Sequence, residues 1–271
     1  MTKIRIILFL IALIAVVGIY QLPRNVVEDK KEKVALSEPL DPVDNHSQTG
    51  QEIPENLQVT INTYKELMHN SVSPEKSAIF ADSLAEAFKT GFFYDSTAHY
   101  LGLAAKEIKS VEAFKKAGDA YFEAFNFAVS ESKRNALGIQ AREFYQMVLD
   151  TNPGDLDSKA NLAVTYVTSA APMQGIMILR EILEEEPAHE LALFNLGLLS
   201  ITSGQFENAI DRFTTLLENH SENQEARLYL GYCYLEIGDT EKAQNELESI
   251  IDSNAEESIK ATARGYLESI N

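Results

Sequence analysis

The chain has 271 residues, 45% of them hydrophobic, and a formal net charge of −18 at pH 7. This length and apolar content suffice for a substantial core in one or two domains. The acidic balance argues against a nucleic-acid-binding protein, because contacts to phosphate need clustered Lys and Arg side chains. From residue 156 onward there are 20 acidic and 7 basic residues. We interpret them as a solvated, charged face rather than a site for a basic partner.

The N-terminus combines a short basic tail, residues 1–5, with an apolar segment over residues 6–22. This segment is close to the roughly 20 residues that span a bilayer as a helix, and flanking Lys and Arg side chains can extend it. No small-residue cleavage site follows, which favours an uncleaved signal anchor over a cleaved signal peptide. We therefore predict a single-pass membrane protein.

The orientation in the membrane is less well determined by charge, because basic residues lie on both sides of the apolar segment. Short basic N-terminal tails of exported proteins normally stay in the cytoplasm. We predict that the body faces the periplasm. The alternatives are a soluble periplasmic protein after cleavage, or a body that faces the cytoplasm.

Residues 23–54 are rich in proline, acidic and small polar residues, which predicts a flexible tether. From residue 55 the spacing of apolar residues is helical. Ser73 and Pro74 have the pattern of an N-cap followed by proline in the first turn, and Gly91 marks the end of that helix. We find no sustained period-two alternation typical of strands after the tether. Residues 55–155 are predicted to be helical with irregular spacing.

A regular repeat follows, in which three sets of residues recur at one constant separation: Ala141, Gly175, Ala209 and Ala243; Leu162, Leu196 and Leu230; Gly204 and Gly238. Such a period indicates that one unit is stacked repeatedly, and a helix pair with its turns uses about 34 residues. Small residues at one position let neighbouring helices approach closely, while the large ones fill the adjoining space.

These sets resemble the tetratricopeptide repeat, whose pattern has Leu-Gly on a first helix and Ala on a second. The resemblance implies an all-α, right-handed α-solenoid of tetratricopeptide helix hairpins, preceded here by the N-terminal transmembrane helix. It places repeats at 156–189, 190–223 and 224–257, with a C-terminal capping helix over 258–271. Gly175 departs from the pattern, because Ala is usual there. About eleven extra residues separate the helices of the preceding, degenerate repeat, which are therefore predicted to be longer or interrupted.

The sequence offers little for catalysis. Its five histidines are scattered without metal-ligand spacing, and it contains no phosphate-binding glycine loop and no nucleophile-elbow motif. Cys233, the one cysteine, lies in a helical segment and is predicted to be a buried structural thiol. We predict a protein that is not an enzyme, with no catalytic residue, metal, cofactor or small-molecule substrate.

Stacked hairpins form a concave surface that is lined mainly by the first helix of each pair. By the resemblance, a largely apolar groove for a protein or peptide partner is predicted from these positions: Asp157, Ala160, Val164, Val167, Leu191, Phe194, Leu198, Ile201, Glu225, Leu228, Tyr232 and Leu235. Alternatively, part of this stripe packs against neighbouring helices or against residues 55–72. The carboxylate clamp of one family branch is not expected, since Glu225 and Tyr229 stand where basic residues would be needed.

The predicted function is that of a membrane-tethered scaffold or adaptor for the assembly or quality control of envelope complexes. Two alternatives remain open at this point. The chain could be a non-catalytic regulatory subunit of a separate enzyme or peptidase, or a module that associates with itself.

Overall fold

The computed structural model describes residues 53–270. All of these residues belong to one compact unit. All regular secondary structure in residues 53–270 is helical, which confirms the all-α prediction. The predicted transmembrane helix and most of the predicted tether lie outside the described residues. None of the helices between residues 53 and 270 is both long and apolar enough to cross a membrane.

Twelve α-helices make up this described unit. They are α1 (Glu55–His69), α2 (Pro74–Thr90), α3 (Tyr94–Ile108), α4 (Val111–Asn126), α5 (Glu131–Thr151), α6 (Leu156–Val167), α7 (Pro172–Glu185), α8 (Glu190–Thr202), α9 (Phe206–Asn219), α10 (Gln224–Glu236), α11 (Thr240–Asp252) and α12 (Glu257–Ile270). Helices adjacent in sequence pack against each other, in the pairs α2/α3, α4/α5, α6/α7, α8/α9 and α10/α11. Helix α1 packs against α2, and α12 packs against α11 and α10.

The second helices of the pairs carry the core at a constant register. Two sets of large side chains recur once per repeat and have no exposed surface: Tyr145, Leu179, Phe213 and Leu247; Val148, Ile182, Leu216 and Ile250. The small residues of the sequence pattern on the same helices are buried beside them. In the first helices the repeat spacing begins at residue 156. In the second helices it begins earlier, in the second half of α5.

The turns follow the same period. Asp155, His189 and Asn223 stand one period apart, and each caps a first helix by accepting a hydrogen bond from the backbone N–H three residues later. Gly204 and Gly238 join the two helices of a pair with φ of +70° and +80°. Only glycine adopts this left-handed conformation without steric cost, which explains why both turns keep it.

The irregular spacing before residue 156 is taken up mainly by α5, whose 21 residues make it the longest described helix. The predicted cap is confirmed as well: the Ser73 side chain accepts a hydrogen bond from Lys76 N, and Pro74 opens α2. Helices α1 to α5 share one large apolar cluster, while smaller clusters hold each later repeat to its neighbour. Such nearest-neighbour packing is expected of stacked repeats.

Candidate partner-binding surface

The twelve predicted groove residues differ widely in exposure. Asp157 and Glu225 are exposed, nine of the others are half-buried, and Ala160 is completely buried. Ala160 packs with Ala163, Leu179 and Ala192 at the boundary of two repeats. No partner can reach it, so Ala160 does not contribute to a binding surface in this structure.

The C-terminal end of the predicted groove is covered by the chain itself. Leu228 and Leu235 pack against a cluster formed by Leu247, Ile250 and residues of α12. The ring of Tyr232 lies 5.6 Å from that of Tyr266 on α12. The alternative of a self-covered stripe therefore holds here, but the covering element is α12. Residues 55–69 pack against α2 instead.

The middle of the predicted groove is also partly core. The Phe194 ring makes edge contacts with Phe213, at 6.0 Å, and with Tyr229, at 5.8 Å. A charged residue at 194 would therefore disturb packing between repeats as well as any groove. Val164, by contrast, is half-buried and belongs to none of the buried clusters, so its exposed part is available to a partner.

Sequence reasoning missed a cleft on the N-terminal half of the stack. Its volume is about 180 Å³, and it opens between α2, α3 and α4. Its walls carry four acidic and two basic side chains together with small and apolar residues: Asp82, Ala85, Glu86, Lys89, Thr97, Leu101, Lys116, Asp119, Ala120 and Glu123. The period could have indicated it, since Lys116 follows Asp82, and Glu123 follows Lys89, at the spacing of one repeat.

Ion pairs and hydrogen bonds organise the floor of this cleft. Lys116 pairs with Asp82 across α2 and α4. The Tyr145 hydroxyl donates to Asp119 Oδ1 at 2.8 Å and accepts from Asn161 Nδ2 at 3.3 Å. Burial and the neighbouring Asp119 raise the pKa of Tyr145 well above its usual range, so the hydroxyl stays a donor. A polar chain thus links first helices α4 and α6 through the second helix α5.

The protein environment in the cleft shifts the acidity of Asp119. Loss of solvation raises the pKa of the Asp119 carboxyl, and the hydrogen bond from Tyr145 and the charge of Lys115 oppose that effect. The ionised form is therefore less favoured in the folded chain than in the unfolded chain. Lys115 itself is engaged by Asp155, at 2.8 Å.

We expect this shift to appear as pH-dependent stability. Because the folded pKa of Asp119 is raised, its charge opposes folding at neutral pH, and protonation removes that penalty as the pH falls. The quantity to follow is the free energy of unfolding of the wild type minus that of Asp119→Asn. This difference should increase as the pH falls from neutral through the raised pKa of Asp119. It should level off below the unfolded pKa of about 3.9.

The variant is well matched, because the Asn side chain can still accept the Tyr145 hydrogen bond. Urea unfolding at a series of pH values measures the difference. A difference that stays constant or falls with decreasing pH would show that Asp119 is not destabilised as an anion.

The structure also gives the surroundings of two asparagine side chains and of the cysteine. Asn161 bonds to the Tyr145 hydroxyl, and Asn195 donates to the Leu191 carbonyl of its own helix at 2.8 Å. Cys233 is buried, as predicted, and burial raises the pKa of its thiol to about 12. Within residues 53–270, no group of three or more His, Cys, Asp or Glu side chains is arranged to hold a metal ion.

Comparison with known proteins agrees with this geometry. Residues 200–263, from α8 into α12, match the sequence model of the tetratricopeptide repeat family. This part of the chain consists of tetratricopeptide repeats. The match covers the repeat 224–257 in full and residues 200–223 of the repeat before it. No curated protein sequence matches the chain significantly.

Several solved structures of repeat proteins are similar to this chain. TTC0263, a thermophilic tetratricopeptide-repeat protein of Thermus thermophilus, is 16% identical over 72% of this chain and 97% of its own, with a TM-score of 0.52. YrrB, a repeat protein with an unusual peptide-binding site, is 17% identical over 74% and 96%, with a TM-score of 0.43. MamA of Desulfovibrio magneticus RS-1 is 15% identical over 65% and 93%, with a TM-score of 0.47. At 16% identity the likeness to TTC0263 is one of fold.

Proposed function

We propose that this chain is a membrane-tethered scaffold that binds a protein or peptide partner on the face formed by its first helices. The observation that carries this proposal is the solvent-open cleft on α2 and α4, which is lined by charged side chains. We further propose that residues 6–22 anchor the chain and that the body faces the periplasm. Its role would then be in assembly or quality control of envelope complexes.

The chemistry of this face favours a partner with a basic residue beside an apolar one. Glu86 and Glu123 line the cleft and form no ion pair with other described residues. Farther along the first helices, Val164, Leu198 and Ile201 are half-buried and keep some apolar surface exposed. A Lys or Arg side chain could enter the acidic cleft while apolar neighbours contact this stripe. Charge-assisted hydrogen bonds of this kind are stronger than neutral ones.

Site-specific photo-crosslinking in native membranes tests the proposal. A photoreactive residue at Glu86 or Val164, on first helices, should yield a partner adduct. The same residue at Glu184 of α7 or Glu241 of α11, on exposed sites of second helices, should yield little. Equal adducts from both sets of positions would contradict binding on the first-helix face.

Charge reversal supplies a matched comparison. Glu86→Lys with Glu123→Lys should reduce adduct formation about tenfold or more, since opposed charges become like charges at the site. Glu184→Lys with Glu241→Lys makes the same change in net charge elsewhere and should leave it unaltered. Mass spectrometry of the adduct distinguishes an assembly client, a separate enzyme or peptidase subunit, and a second copy of this chain.

A further inference from the structure

An exposed aromatic patch lies in two of the turns between helices. It consists of Phe92, Tyr94, Phe127 and Val129. Phe92, Phe127 and Val129 are 66%, 53% and 78% exposed. The Tyr94 ring stacks on Phe127 at 4.3 Å and lies 6.4 Å from Phe92. The patch thus joins the turn between α2 and α3 to the turn between α4 and α5, where apolar side chains are normally scarce.

Phe92 occupies this position at a conformational cost. Its φ is +60°, in the left-handed region. Phe93 N–H donates to Phe88 O and Phe92 N–H donates to Lys89 O, a helix-ending pattern in which the left-handed residue is usually glycine. An aromatic residue there costs about 1 kcal/mol or more. The fold gains little from a ring that is mostly in solvent, so the side chain is better explained by a contact outside the described unit.

Gly91, the residue before Phe92, is fixed in its position by packing. A Cβ on Gly91 would lie 2.5 Å from Phe93 Cε2 and 2.9 Å from Leu57 Cδ2. Position 91 therefore needs glycine for packing. The residue in the left-handed conformation is the next one, Phe92. The same geometry locates the start of α1, the first described helix. Leu57, in the first turn of α1, packs directly on the turn that carries the patch.

The described residues therefore begin close to the aromatic patch, at the C-terminal end of the predicted tether. The sequence predicts a flexible tether over residues 23–54, and a flexible chain of that length would have an average span of roughly 30 Å. If residues 6–22 are held in a bilayer, the patch cannot move far from its surface. The resulting effective concentration lets a few weak contacts act together, although they would not support a stable complex between free molecules.

The charge around the patch differs from that of the whole chain. Residues 89–95 and 127–134 contain three basic and two acidic side chains, whereas the entire chain has a net charge of −18. One of the acids, Asp95, pairs with Lys133. The two segments that carry the patch are therefore repelled less by anionic lipid headgroups than the acidic C-terminal repeats are.

We propose that the aromatic patch inserts into the interfacial layer of the bilayer that holds the N-terminal segment, and so fixes the body against the membrane. The inference rests on the proposed anchoring by residues 6–22. Aromatic rings are favoured at the headgroup boundary, where their apolar surface leaves water without entering the hydrocarbon centre. The partner cleft on α2 and α4 would then lie close to the membrane surface.

The chain contains no tryptophan, which allows a single fluorescent reporter. Full-length Phe92→Trp is reconstituted in vesicles of phosphatidylcholine and phosphatidylglycerol, with and without brominated acyl chains. Its emission should be blue-shifted and lose about half its intensity with brominated lipid, as expected at interfacial depth. Ile237→Trp, at a 41%-exposed apolar site in the turn after α10, is the matched control and should not be quenched.

A second variant separates docking from folding. In a Phe127→Trp reporter, adding Phe92→Gly should reduce lipid quenching while raising the thermal midpoint, because strain is relieved as one anchor is lost. Solvent-like, unquenched emission from Phe92→Trp in membrane-retained protein would overturn the patch proposal alone. Emission that is blue-shifted, insensitive to brominated lipid and lost on dilution would show that a second copy covers the patch, which also overturns it. Release of the chain by alkaline carbonate would instead refute the anchoring.

Discussion

Replacing Gly175 with alanine, the residue that the repeat pattern prefers at this position, should lower the free energy of unfolding by about 2 kcal/mol. Gly175 lies in α7 and is buried. An added Cβ would press into the carbonyl oxygen of Ala163, and it would lie 2.8 Å from Val167 Cγ2 and 3.0 Å from Val167 N. Two of these three atoms belong to the backbone, so relief requires α6 and α7 to move apart. The helix propensity gained with alanine, about 1 kcal/mol, is too small to compensate.

The neighbouring repeats explain why the position of Gly175 carries glycine in this hairpin and alanine in the next two. Where the first helix carries Gly197 or Gly231, the facing second helix carries Ala209 or Ala243. Around Gly175 the order is reversed, because Ala163 is on the first helix and the glycine is on the second. Each of these helix pairs has one glycine and one alanine at the facing positions. The two helices can therefore approach closely in every repeat, although neither position by itself carries the same residue throughout.

Gly265 provides the control. It lies in α12, and a Cβ there meets no atom within 4 Å. Gly265→Ala should therefore stabilise the protein by up to about 1 kcal/mol through helix propensity alone. Ala163→Gly combined with Gly175→Ala restores the order of the other repeats but leaves the carbonyl at position 163 and Val167 in place, so it should not recover the loss. Thermal and urea unfolding of the four proteins measure these values. A Gly175→Ala variant as stable as Gly265→Ala would contradict the tight contact.

The helical fold was predictable because the repeat imposes the same packing at each step. The sets containing Leu162 and Ala209 are buried in the structure, as their period indicates. Before residue 156 the first helices lose the repeat spacing, since α4 begins at Val111 and α6 at Leu156. The core side chains of α5 keep the repeat spacing. The residues added to its N-terminal half shift all preceding helices away from that spacing in the sequence. Sequence spacing alone could not show which helix took up these residues.

The candidate surface was less predictable, since exposure depends on what packs above each residue. Leu228 and Leu235 occupy groove positions by sequence, yet α12 covers them because the terminal repeat needs a cap. Ala160 is buried for a different reason, as it fills the narrow contact between two repeats. The acidic cleft depends on Asp119 and Glu86, which resemble ordinary surface acids until α2 and α4 are seen side by side. The right-handed turn of the stack and the N-terminal anchor stay predictions.

Phe213→Ala is expected to have the largest effect on stability, a loss of about 3–5 kcal/mol. Phe213 has no exposed surface, and its ring lies 5.9 Å from that of Tyr229 and 6.0 Å from that of Phe194. Gly197 faces the ring so closely that a Cβ there would lie 2.6 Å from Phe213 Cζ. Without the ring, the cavity is bounded on that side by bare backbone, which cannot rotate a side chain into the space.

The equivalent positions in the adjoining repeats decide whether size or aromatic character matters. They are Leu179 and Leu247, both fully buried. Phe213→Leu should therefore cost less than Phe213→Ala, about 1–2 kcal/mol, because leucine fills most of the volume. Phe127→Ala removes an exposed ring of the same size and should cost under about 1 kcal/mol.

Urea unfolding measures the free energy of unfolding of each variant, and hydrogen exchange shows which helices lose protection. In Phe213→Ala, protection should fall in α8 to α11 before it falls in α2 to α5, because each repeat is held mainly by its neighbours. A uniform loss of protection would instead mean that the stack unfolds as one unit, and equal losses for the alanine and leucine variants would mean that cavity volume is not what sets the stability of this repeat.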